Sequence, residues 1–133
     1  MLTFVAHAVP DGHSLVVTSR PIRGIVLHNT VTMGLPATRS DGSWHWAIDR
    51  DGSLHRYVEE RYIAFGVREA DRNRPDWVLV SPYNTSDVNW CSIHIELVSF
   101  MGHPLCPPDY EPYTDQQYAA LQRLLAEYTD LPV

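Results

Sequence analysis

Asn89-Trp90-Cys91-Ser92-Ile93-His94-Ile95-Glu96-Leu97-Val98 is the stretch on which the fold turns. Successive side chains of an extended chain point to opposite faces, so Ile93, Ile95 and Leu97 share one side while His94 and Glu96 share the other. Residues 92–98 are therefore predicted to form a strand with one apolar face and one face bearing ionisable groups. Glu96 lies between Ile95 and Leu97, with His94 two residues back on its own face. A carboxylate in that setting loses solvation, so it either finds a partner or has a raised pKa suited to proton transfer. The plainer alternative is a half-exposed strand carboxylate.

Upstream, Gly24-Ile25-Val26-Leu27-His28 is a short run rich in branched apolar residues, as expected of a buried central strand. His28 closes it and is followed by Asn29 and Thr30. By itself a histidine at a strand end is more often hydrogen-bonded structure than a ligand. Between these strands the chain predicts a hairpin, 44–49 and 53–58, joined at Arg50-Asp51-Gly52, where Asp51-Gly52 supplies left-handed backbone positions. On its first strand Trp44, Trp46 and Ile48 are expected on one face, with His45, Ala47 and Asp49 on the other.

Residues 33–43, with Gly34, Pro36, Ser40, Asp41 and Gly42, read as a loop, and the polar stretch 66–90 reads as a long surface loop. Residues 1–20 read as an irregular arm with a short strand at 14–18. Downstream, Thr114 opens a helix, with Gln117 completing a capping box. Tyr118, Leu121, Leu125 and Tyr128 repeat at helical spacing, and Pro132 follows the helix. Strand, hairpin, strand, helix in that order predicts an α/β domain, a mixed central β-sheet flanked by helices, with 1–133 as one unit.

The bulk composition agrees with such a domain: 44% hydrophobic, 20% charged residues and a formal charge of -6. The negative balance, without a basic aromatic-rich cluster, argues against nucleic acid and anionic membrane as partners. No run approaches transmembrane length, and the start, interrupted by His7 and Pro10, is a poor signal peptide; synthesis in the cytoplasm is expected. Cys91 and Cys106 fit no C-x-x-C motif and are read as unpaired thiols.

Three stretches in order, Gly24–Thr30 (GIVLHNT), 44–58 (WHWAIDRDGSLHRYV) and 89–98 (NWCSIHIELV), and then a helix beginning YTDQQYAALQRLL, together resemble the zinc N-acetylmuramoyl-L-alanine amidases, which include phage amidase lysozymes and peptidoglycan recognition proteins. The resemblance spans roughly residues 22–131. It implies hydrolysis of the amide between the lactyl group of N-acetylmuramic acid and L-alanine, with peptidoglycan or a muropeptide as partner and one zinc ion as cofactor. His28 matches the family's first zinc ligand, and Glu96 matches the glutamate that some branches use for proton transfer. Other branches use a tyrosine where Trp44 stands, and an indole cannot transfer a proton. Asn29, Trp44, His45 and His94 are the expected substrate-binding residues, with a structural role also open for His45 and core packing for the tryptophans. Trp77, Tyr83 and Trp90 are further candidates for stacking on sugar or peptide.

Two departures stand out within the motifs. Many members carry Trp-His after the hairpin where this chain has Ala64-Phe65-Gly66-Val67, and position 94 is histidine where the family usually has glycine. The family's remaining ligands follow the helix, and Val133 leaves no candidate for them. Three accounts stay open: ligands from an unusual place, with His94, Glu96, His103 or another chain completing the site; a truncated enzyme; or a module that binds wall without cutting it. A missing last strand would expose a sheet edge and favour a homo-oligomer. A phage lysin acting on the cell wall is the expected setting.

Overall fold

A computed structural model of the chain describes residues 2–8, 22–35, 43–67 and 88–131. The expected strand at 14–18, most of the 66–90 loop, and Trp77 and Tyr83 lie outside these residues. The elements are β1 (Val5–Ala6), β2 (Gly24–Asn29), β3 (Trp46–Ile48), β4 (Leu54–Arg56), α1 (Val88–Cys91), β5 (Ser92–Leu97) and α2 (Asp115–Leu125), which ends in a 3-10 turn at Ala126–Tyr128. The strands form one mixed sheet in the order β1-β4-β3-β5-β2, so β2 is an edge strand of it and not the buried central strand expected. β5 lies between β2 and β3 and runs parallel to both, while β3 and β4 form the antiparallel hairpin. Mixed sheet and helices are as the residue patterns predict.

One face of the sheet is the main core. Ile25, Trp46, Ile48, Leu54, Ile93, Ile95 and Leu97 meet Ala120 and Leu124 of α2, all of them buried. The alternation in β5 thus sorts its side chains as expected. The helix stripe needs correcting. Ala120 and Leu124 are fully buried, Leu121, Leu125 and Tyr128 pack at the margin, and Tyr118 is 51% exposed. Tyr118 lies over the sheet margin, lining a groove with Leu27, Leu97, Tyr113 and Leu121, and Leu27 of β2 is itself exposed there.

The helix start is tied to the sheet by its cap. Thr114 Oγ1 accepts from Gln117 N, and Gln117 Oε1 accepts from Thr114 N, which closes the capping box. Gln117 is wholly buried, and its Nε2 also donates to Ile48 O and Val98 O. One side chain therefore satisfies polar groups on the helix, on β3 and just past β5. The hairpin turn packs on the same helix. Gly52 has φ 83, and a Cβ there would lie 2.7 Å from Gln116 O, so both the left-handed backbone and the close approach call for glycine. Asp51 does not share the positive φ expected of it; its carboxylate instead accepts from Ser53 N and Oγ.

The expected facing of Trp44 is also overturned. β3 begins only at Trp46, so strict alternation does not extend back to Trp44. Trp46 joins the main core, whereas Trp44 packs with Ala47, Tyr57, Val58 and Ala64 in a second cluster.

Candidate active site

The register of the three parallel strands assembles the site. His28 is opposite Glu96 on β5, and Ala47 of β3 is opposite Glu96 on the other side. Val26 is opposite His94, so His28, His94 and Glu96 all emerge on the face turned from α2. This face buries polar groups: His45 and His94 are fully covered and Glu96 is 8% exposed.

His28 Nε2 and His94 Nδ1 lie 2.9 Å apart, with the two rings stacked at 5.2 Å between centroids. Burial holds the His28 pKa down at about 4, so this imidazole is neutral at ordinary pH with a lone pair to offer. Burial pushes Glu96 up to about 7. Its Oε2 has no hydrogen-bond partner among the described residues, so neither the charged nor the protonated form is fixed by a neighbour. Of the two expectations for Glu96, the desolvated carboxyl is the one found.

His45 supports this arrangement from beneath. Its Nδ1 accepts from the backbone N–H of His94 at 2.9 Å, which makes Nε2 the protonated nitrogen, donating to Tyr62 O at 2.9 Å. Both nitrogens are thereby engaged and the ring is fully buried. His94 is likewise wholly buried, and its ring faces His28. Trp44 is 8% exposed, set edge-on to Tyr57, with its Nε1 unpartnered among the described residues. Asn29 donates from Nδ2 to Met101 O, tying the end of β2 to the segment after β5. The four expected substrate-binding residues are thus not gathered into one wall: two are interior imidazoles, one is a packed indole and one pins a loop. His103 stacks on Phe100 and accepts from Leu105 N at Nδ1, so it serves its own turn.

Residue patterns missed Gly66. A Cβ there would stand 2.3 Å from His94 Nδ1, so this backbone closes directly over the imidazole. The signal was present, since Gly66 stands in one of the two departing motifs and His94 in the other. A second imidazole pair, His7 Nε2 to His55 Nδ1 at 2.8 Å, joins β1 to β4 and also went unread. Among the described residues no three His, Cys, Asp or Glu side chains converge as a metal-holding group. Cys91 and Cys106 are not joined in a disulfide, and Cys91 Sγ donates to Val88 O.

The family model for N-acetylmuramoyl-L-alanine amidase matches residues 18–131. The chain belongs to this amidase family. Solved structures with a similar fold include the Ph2119 endolysin from a Thermus scotoductus bacteriophage, at 17% identity and a TM-score of 0.55, covering 94% of this chain and 82% of that one. The amidase LysC from Clostridium intestinale matches at 17% identity and a TM-score of 0.52, over 95% of this chain and 80% of its own. AmpD, as a selenomethionine derivative, matches at 21% identity and a TM-score of 0.53, over 95% and 76%. No curated protein sequence matches the chain. Membership makes the chain an amidase hydrolase with a peptidoglycan-directed fold, and its motif stretches are those that build the face carrying His28 and Glu96.

Proposed function

We propose that the chain hydrolyses the amide between the lactyl group of N-acetylmuramic acid and L-alanine, with His28 holding a zinc ion and Glu96 moving the proton. The reading is carried by Glu96: a buried carboxyl with one oxygen unpartnered among the described residues, set at the same register position as His28 on the neighbouring strand. His28 is kept neutral by burial, the state in which imidazole binds a cation, and is the one ligand this reading assigns; among the described residues no three such side chains converge, so further ligands are needed. Zinc would lower the pKa of a bound water and polarise the amide carbonyl. Glu96, at about 7, is poised to accept a proton from water and return it to the departing amine, since proton transfer is most effective when the carrier titrates near the working pH. The apolar setting of Ile95 and Leu97 along β5 keeps the carboxyl in that range.

The setting we propose is phage lysis, acting on the cell wall; likeness in fold to endolysins supports it, and no described helix is long and apolar enough to cross a membrane. The test is Glu96→Gln assayed on purified muropeptide and on whole walls. Loss of cutting by at least a hundredfold, with zinc content and wall binding retained, is expected. Cutting that persists within a few fold removes Glu96 from the chemistry. If the unaltered chain binds wall but does not cut it, it is a recognition module.

A further inference from the structure

We infer that β2 is an interface, at which a second copy of this chain adds its own β2 antiparallel to the first. The two edges of the sheet are unequal. β1 spans only Val5–Ala6, the short kind of edge strand that resists further pairing. β2 runs for six residues, Gly24–Asn29, without the charges, prolines or bulges that guard an open edge. Its bonding to β5 continues past the strand as Thr30 N to Leu97 O and Thr32 N to Ser99 O, so the even-numbered residues address β5. By alternation the backbone N–H and C=O of Ile25, Leu27 and Asn29 point outward, and among the described residues nothing pairs with them. The surface beside this edge is apolar. Leu27 is 38% exposed and Tyr118 51%, and with Leu97, Tyr113 and Leu121 they line a groove of about 340 Å³.

A strand that covers such an edge needs no charge, an apolar residue over the groove, and backbone groups at matching positions. β2 of a second copy meets all three requirements. With a two-fold axis at Leu27, Leu27 faces Leu27 and Ile25 faces Asn29, and each facing pair exchanges two backbone bonds. The parity permits it, because the residues whose groups point outward face only one another. The Leu27 side chains of both copies then meet on the side of α2, over the two grooves. The formal charge of -6 does not oppose the seam, since residues 24–29 contribute none of it. On the opposite face Val26 of one copy lies against His28 of the other, so the two candidate sites flank the seam.

Oligomeric state is read without zinc or substrate, so failure here and failure of the proposed activity are distinguishable. Light scattering coupled to size exclusion should give the full chain a mass near twice 15.2 kDa. Leu27→Lys sets a charge on each side of the axis and is expected to return the mass to 15.2 kDa, with far-UV circular dichroism unchanged. Cross-linking gives a second readout should the lysine disturb folding. In a Cys106→Ser background, Leu27→Cys should join the two copies under mild oxidation, because residues paired in this way stand about 5.5 Å apart between Cα atoms, within disulfide reach. Asn29→Cys in the same background, facing Ile25, should not. A chain that stays at 15.2 kDa throughout the micromolar range overturns the inference. So does a dimer that survives Leu27→Lys with its fold intact, or a Leu27→Cys protein that cross-links no faster than the Asn29→Cys one. A mass that keeps rising with concentration overturns the closed two-fold pair.

Discussion

The two faces of the sheet differ in how their interiors are satisfied, although the same strands build both. Towards α2 the sheet buries Ile93, Ile95, Ile48 and Trp46 against Ala120 and Leu124, and its interior is apolar. On the other face β5 buries His94 and Glu96, and the imidazoles of His28 and His45 join them. The first face gains stability from every contact it makes. The second carries groups whose desolvation opposes folding unless each is partnered. The comparison teaches that stability and chemistry are separated here by the two-residue period of a strand, so substitutions one residue apart in β5 should have different consequences.

The largest expected effect comes from the apolar face. Ile95→Ala removes a fully buried side chain from an interior strand, and the surroundings, pinned by the ladders to β2 and β3, have little room to collapse. A loss of about 3–4 kcal/mol in unfolding free energy is expected, read by urea denaturation. A loss under about 1 kcal/mol would mean that the two faces are not separated in this way.

Next is the pH dependence of the metal-free protein, which belongs to the polar face. Burial raises Glu96 from 4.5 to about 7, so the native state keeps a proton that the unfolded chain releases between those values. Its contribution is fully present below pH 4.5 and is lost as pH rises through 7. His28 behaves oppositely: lowered from 6.5 to about 4, it contributes fully above 6.5 and loses that contribution as pH falls through 4. In chelator the two contributions oppose each other and cancel between about pH 4.5 and 6.5, so stability should form a plateau there that falls by less than about 1 kcal/mol on either side. Removing Glu96 as Glu96→Gln should uncover the His28 contribution, a rise on the order of 3 kcal/mol between about pH 4 and 6.5 in thermal unfolding. A variant profile as flat as that of the unaltered protein would show that Glu96 is not the opposing group.

The same division decides what residue patterns reveal. Period-two alternation in 92–98 and the Thr114–Gln117 capping box are local signals, and both elements form where those signals place them. His28 and Glu96 were found because motif order points to them, and strand register sets them side by side. The hydrogen-bond partners of His45 and the ring that Gly66 meets were not legible. Whether His45 faces solvent depends on Tyr62 and on the backbone of His94, and the need for glycine at 66 depends on a ring 28 positions away. Such facts follow from packing between segments and leave no trace in spacing. Trp44 failed for a related reason: alternation was carried past the true start of β3.

The smallest effect concerns the loop that leaves β2 beside His28. Val31 has φ 56, a left-handed conformation that a β-branched residue adopts only under strain of about 1–3 kcal/mol. The backbone explains why it is held there. Thr30 N donates to Leu97 O and Thr32 N donates to Ser99 O, so the chain keeps its bonds to the strand on either side of Val31 and must turn within that one residue. Asn29, through Met101 O, fixes the near side of the same turn. Val31→Gly relieves the strain but adds backbone freedom to the unfolded chain, about 0.5–1 kcal/mol. A net gain near 1 kcal/mol is expected in denaturant unfolding, with zinc affinity unchanged within twofold. If stability rises but zinc affinity drops tenfold, the strained valine is what holds the end of β2 rigid, and the boundary between the stabilising face and the chemical one runs through this turn.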